Sequence, residues 1–157
     1  MTLISLRIPQ IYRGFLYGFL ALSLCSGVLF FILSQWFVIE GEFGPQKHPL
    51  QAVLIRIHGA SAFLMLMSFG ALLAAHIPYG WKSTRSRKSG LFISILVLLQ
   101  IILGYLLYYL ANETVRQYTG YVHIVFGLVM PVALYIHLRQ RKTPLKKRNY
   151  SARLEGL

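Results

Sequence analysis

Apolar and polar positions separate on a long scale in this chain. Four almost wholly apolar runs, at residues 14–39, 53–76, 90–110 and 119–138, alternate with short segments that collect nearly all the charge. Runs of about 20 apolar residues are long enough to cross a bilayer as helices. A helix also keeps its own backbone groups paired in lipid, which an open strand cannot do. The expected fold is therefore all-α, a four-helix transmembrane bundle in up-down-up-down order. Residues 1–13 form a cytoplasmic lead, 14–138 the bundle and 139–157 a basic cytoplasmic tail. The segment IEGEFGPQKHP after the first run reads as a polar, turn-rich external loop. Pro131, in the middle of the fourth run, is expected to kink its helix. Asn112-Glu113-Thr114 has the form of a glycosylation sequon, but in so short a turn it is read as chance.

Composition narrows the class. Of 157 residues 56% are hydrophobic and 13% charged, so almost no chain remains for a soluble catalytic domain. A net charge of +12 would fit a nucleic-acid binder, but its distribution argues for a membrane instead. Thirteen basic residues lie before span 1, between spans 2 and 3, or after span 4. On the other side stand only Lys47, Arg56 and Arg116, with Glu40, Glu42 and Glu113. That is a positive-inside pattern with both termini cytoplasmic, and it suits a bacterial inner membrane. The basic tail contacts anionic head groups in this reading, and no nucleic-acid partner is expected. Cys25 is the only cysteine, which excludes an internal disulfide and a C-x-x-C-H haem attachment. The LSLC around it resembles a lipoprotein cleavage site weakly, because Leu24 is large and the apolar run continues; span 1 is expected to remain uncleaved.

Four of the five histidines fall at the ends of two spans: His58 and His76 in the second, His123 and His137 in the fourth. Ionisable side chains inside a bilayer are costly and point to function. Eighteen residues make five helical turns, so His58 and His76 share a face roughly 27 Å apart. His123 and His137 differ by about 40° in direction and lie roughly 21 Å apart. In an up-down-up-down bundle the two spans are parallel. His58 then meets His123 at the outer level and His76 meets His137 at the inner one. Each level offers two imidazoles, the axial set of a six-coordinate b-type haem. Zinc would want three or four compact ligands, and no carboxylate lies inside any span. His48, in the external loop, is expected to be merely solvated.

A flat macrocycle needs small neighbours. Ala62 follows His58 by one turn, Gly127 follows His123, and Ala133 precedes His137. Gly90 and Gly104 on span 3, with Gly14 and Gly27 on span 1, can relieve crowding at the two levels. Arg56, Lys82, Arg85 and Arg139 are near enough to the surfaces to pair with propionates, although Arg56 is as well suited to snorkelling. Met65 and Met130 are expected to be core packing.

Four spans with histidine pairs on the second and fourth resemble the di-haem cytochrome b family. Its members include the haem-bearing bundle of quinol–cytochrome c reductases and the cytochrome b anchors of formate dehydrogenases and hydrogenases. The resemblance covers residues 14–139. His123-x13-His137 matches the family spacing, and Gly90-x13-Gly104 resembles its glycine pattern. His58-x17-His76 departs from it by one helical turn, leaving His76 and His137 roughly 6 Å out of level. The resemblance implies two bis-His b haems and electron transfer across the membrane. The electrons would pass between an external cytochrome or iron–sulfur protein and a quinone pool or inner acceptor. The chain would then be an electron-transfer subunit of a larger oxidoreductase rather than a self-contained quinol enzyme. The alternative is a haem-free or single-haem anchor that stabilises a respiratory or photosynthetic complex.

Overall fold

The computed structural model describes residues 9–78 and 87–142. The amino-terminal lead up to residue 8, most of the basic loop with Lys82 and Arg85, and the tail beyond residue 142 lie outside the described residues. Helix α1 spans Gln10–Trp36, α2 Leu50–Ala75, α3 Arg87–Tyr109 and α4 Glu113–Lys142. All four are long and apolar enough to cross a membrane. Among the described residues the protein is thus all-helical apart from one small ribbon, as the apolar runs predict.

The apolar surface faces outward. Among the described residues only Leu96, Met130 and Ala133 are buried hydrophobics, packed by Leu20, Ile93, Val97 and Phe126. Phe63, Met67, Leu98 and Val132 are all more than half exposed. In water, apolar patches on this scale would drive aggregation, whereas lipid tails solvate them. Met130 is the core residue its position suggests.

Close packing runs within two hairpins, α1 against α2 and α3 against α4, and the hairpins meet thinly along α1 and α4. In the first, Tyr12 donates to the Ser68 carbonyl, Gly27 lies against His58, and Gln51 Nε2 donates to the Leu33 carbonyl at 3.2 Å. In the second, Gly90 lies against His137, Gln100 against Gly127, Gly104 against His123 and Leu107 against Gly120. Each step forward along α3 in this series is matched by an equal step back along α4. The register is therefore constant over the seam. At one end of the bundle, Tyr121 of α4 packs edge-on against Phe31 of α1, ring centroids 5.9 Å apart, and its hydroxyl reaches Gln35 Oε1 at 3.4 Å.

The buried serines inside the spans are satisfied locally. Ser26 and Ser61 are buried, and their hydroxyls donate to backbone carbonyls one turn earlier, Leu22 at 2.6 Å and His58 at 2.9 Å. This back-bonding lets a hydroxyl remain in an apolar setting at little cost.

Two features go beyond the sequence reading. The loop between α1 and α2 contains an antiparallel ribbon, β1 (Val38–Gly41) paired with β2 (Gly44–Lys47), with Glu42 and Phe43 at its tip. Gly44 closes the turn at φ +106°, a conformation that glycine alone adopts readily. Helix α4 also begins earlier than its apolar run and continues through Pro131. Asn112 explains the early start: its Oδ1 accepts the Val115 N–H at 3.0 Å, which makes it an N-cap. Glu113 adds a favourable charge in the first turn. We expect Asn112→Ala to lower stability by ~1 kcal/mol. The check is a lower thermal midpoint in detergent, with Asn112→Ser restoring it.

Candidate cofactor-binding site

The site begins with His58, about two turns into α2. Its Nδ1 lies 2.9 Å from the Ser23 carbonyl of α1 and 3.5 Å from the Ser23 hydroxyl. A carbonyl oxygen only accepts, so Nδ1 carries the proton and Nε2 holds the lone pair. That is the tautomer a metal-ligating imidazole uses when it binds through Nε2. One turn beyond Ser23, Gly27 makes room for the ring. A Cβ at Gly27 would stand 2.9 Å from both Cε1 and Nδ1 of His58.

His123 approaches from α4. Its ring centroid is 6.1 Å from that of His58, with the ring planes at 79°. Two imidazoles this close could together hold one metal ion, each supplying a ring nitrogen as donor. Behind His123, Gly104 of α3 presents a Cβ position 3.6 Å from Cε1. The Nδ1 atom of His123 is buried and has no hydrogen-bond partner.

His137, nearly four turns further along α4, repeats part of this arrangement. Its Nδ1 is 2.9 Å from Ser89 Oγ of α3, and a Cβ at Gly90 would lie 3.5 Å from its Cε1. His76 is half-buried just past the end of α2, where its backbone N–H donates to the Leu72 carbonyl at 2.9 Å. His48 is half-buried at the start of α2, and its Nδ1 accepts the Leu50 N–H at 3.2 Å.

Three histidines thus share one construction: an imidazole on α2 or α4, backed by a glycine on the neighbouring helix of the same hairpin. Among the described residues no three of His, Cys, Asp or Glu converge. The donor set at His58 and His123 is a pair of imidazoles.

No protein-family model matches this chain, and neither a curated protein nor a solved structure is significantly similar to it.

The remaining sequence candidates fall as follows. Ala62 and Arg56 are exposed on α2. Arg139 is exposed with its guanidinium 5.2 Å from the Tyr135 ring, a cation–π contact within α4. Gly127 faces α3, where its Cβ position lies 3.0 Å from Gln100 Nε2. Gly14 has nothing within 4 Å. Ser23, Ser89 and Gln100 were not singled out by sequence. Serine and glutamine at these positions carry no periodic signal, and only knowing which helices are neighbours, and in what register, gives them meaning.

Proposed function

We propose that this chain is a di-haem b-type membrane cytochrome, an up-down-up-down bundle with both termini in the cytoplasm of a bacterium. His58 and His123 hold one haem and His76 and His137 the other. In this reading it carries electrons across the membrane between an external redox protein and a quinone pool or inner-side acceptor, as a subunit of a larger oxidoreductase. The observation that carries the proposal is the meeting of His58 and His123 from separate hairpins, at a ring separation that suits one metal between them. The orphan Nδ1 of His123 and the glycines behind three of the imidazoles are in keeping with it. So are the antiparallel contacts within each hairpin, which follow from the alternating topology.

Bound haem supplies a one-electron redox centre of low charge that can sit within the bilayer. The chain's own contribution is ligation and insulation. Ser23 holds the His58 ring in the tautomer that leaves Nε2 as donor. Gly27 and Gly104 let the rings lie close to α1 and α3. The outward apolar faces of the helices keep water away from both levels. Arg56 and Arg139, both exposed, would pair with propionates in this reading. Glu40 and Glu42 on and beside the ribbon offer an acidic docking face for a basic external partner.

The test is an absorption spectrum and reduced pyridine haemochrome assay on detergent-purified protein expressed with ample haem. Two b haems per chain are expected. One would restrict the proposal to His58 and His123, and none would leave a membrane anchor.

A further inference from the structure

Two buried polar atoms among the described residues lack a hydrogen-bond partner: His123 Nδ1 on α4 and Gln100 Oε1 on α3. Buried orphans are rare, and each asks for an explanation. These two belong to the same seam. Gln100 lies one turn from Gly104, which backs His123, and Gln100 itself packs against Gly127, one turn from His123. Their levels are about 6 Å apart along the helices, within reach of a glutamine with three rotatable side-chain bonds.

Their chemistry is complementary. An imidazole that binds metal through Nε2 carries its proton on Nδ1 and needs an acceptor there. His58 has the Ser23 carbonyl in that role, and Ser89 Oγ contacts Nδ1 of His137. Both come from the neighbouring helix of the same hairpin. For His123 the corresponding helix is α3, and Gln100 is the α3 residue with a buried, unused acceptor. The opposite end of its amide is already directed: Nε2 lies beside Gly127. The carbonyl of Gly127 loses its helical donor because the residue four positions on is Pro131, which has no N–H. Nε2 is thus the end of the amide turned toward Gly127, and Oε1 is the end left for His123.

We propose that Gln100 is a positioning residue for the haem ligand His123, its Oε1 accepting the Nδ1–H and thereby fixing the tautomer and raising the basicity of the imidazole. The inference rests on the di-haem reading above. A more basic axial imidazole favours the oxidised iron, so the contact lowers the midpoint potential of the haem it serves.

The experiment is potentiometric titration of the purified haem-loaded protein, followed by absorbance, for wild type, Gln100→Met and Gln100→Glu. Methionine has nearly the same length but only a weak acceptor; glutamate keeps the carbonyl and the shape. Gln100→Met is expected to raise one of the two midpoints and leave the other unchanged, with haem content retained. Gln100→Glu is expected to hold that midpoint at or below the wild-type value. The proposal is overturned if Gln100→Met moves neither midpoint, or if Gln100→Glu raises it equally. Glutamate substitution alone carries the second criterion should the methionine variant fail to assemble. A wild-type protein without haem would refute the functional reading itself, an outcome distinct from a loaded protein whose potentials ignore residue 100.

Discussion

Replacing His123 with alanine is expected, on the proposed di-haem reading, to cut the haem bound per chain to about half, because one of the two proposed ligand pairs is lost. The remaining haem should keep its spectrum and potential, since the other level lies roughly 21 Å away along α4. His58 and His123 come from different hairpins, and their rings meet across α2 and α4 with centroids 6.1 Å apart. Without His123, His58 has no imidazole opposite it, and a five-coordinate haem would be held by one bond and weak packing. His58→Ala should give the same loss for the same reason. The check is pyridine haemochrome per chain together with a redox titration, in which one component should vanish. Wild-type haem content in both single variants would sink the assignment of this pair.

Gly27→Ala should remove the same haem without touching a ligand. The added methyl would stand 2.9 Å from two ring atoms of His58, closer than any real contact allows. The ring cannot move without disturbing its bond to the Ser23 carbonyl, which sets its tautomer. Overpacking of this kind costs ~1–3 kcal/mol, enough to depress loading by one to two orders of magnitude in affinity. Gly27→Val should be worse. Gly104→Ala and Gly90→Ala offer a graded comparison, since their added methyls would meet ordinary contacts of 3.6 and 3.5 Å. Gly14→Ala, with nothing within 4 Å, serves as the control and should bind haem as wild type does. Equal loading across all four variants would show that the imidazole is free to relocate.

These glycines also show where sequence reasoning reached its limit. The spacing of Gly90 and Gly104 stands out by eye, and both indeed back histidines on α4. The tightest approach, however, is at Gly27, which no spacing marks as different from Gly14 or Gly18 on the same helix. Gly127 looks like clearance beside His123, yet its neighbour is the Gln100 amide. Asn112 reads as part of a chance sequon, while its side chain caps α4 and sets where that helix begins. The ribbon between α1 and α2 is too short, and too rich in glycine and proline, for a period of two to emerge from it.

From the residues alone came the four membrane-length helices and the spacing of the histidines along the second and fourth spans. Both follow from constraints internal to each segment. Lipid obliges a spanning chain to pair its own backbone groups, and the helical repeat fixes which side chains share a face. The pairing of His58 with His123 was also an expectation from the sequence, but only the tertiary structure sets their rings 6.1 Å apart, puts Ser23 behind the former and stands Gln100 against Gly127. Periodicity specifies a face but neither the helix it turns toward nor the axial register between them. Those are set by packing among residues far apart in the chain, through close contacts that glycine and serine permit without announcing themselves in any pattern.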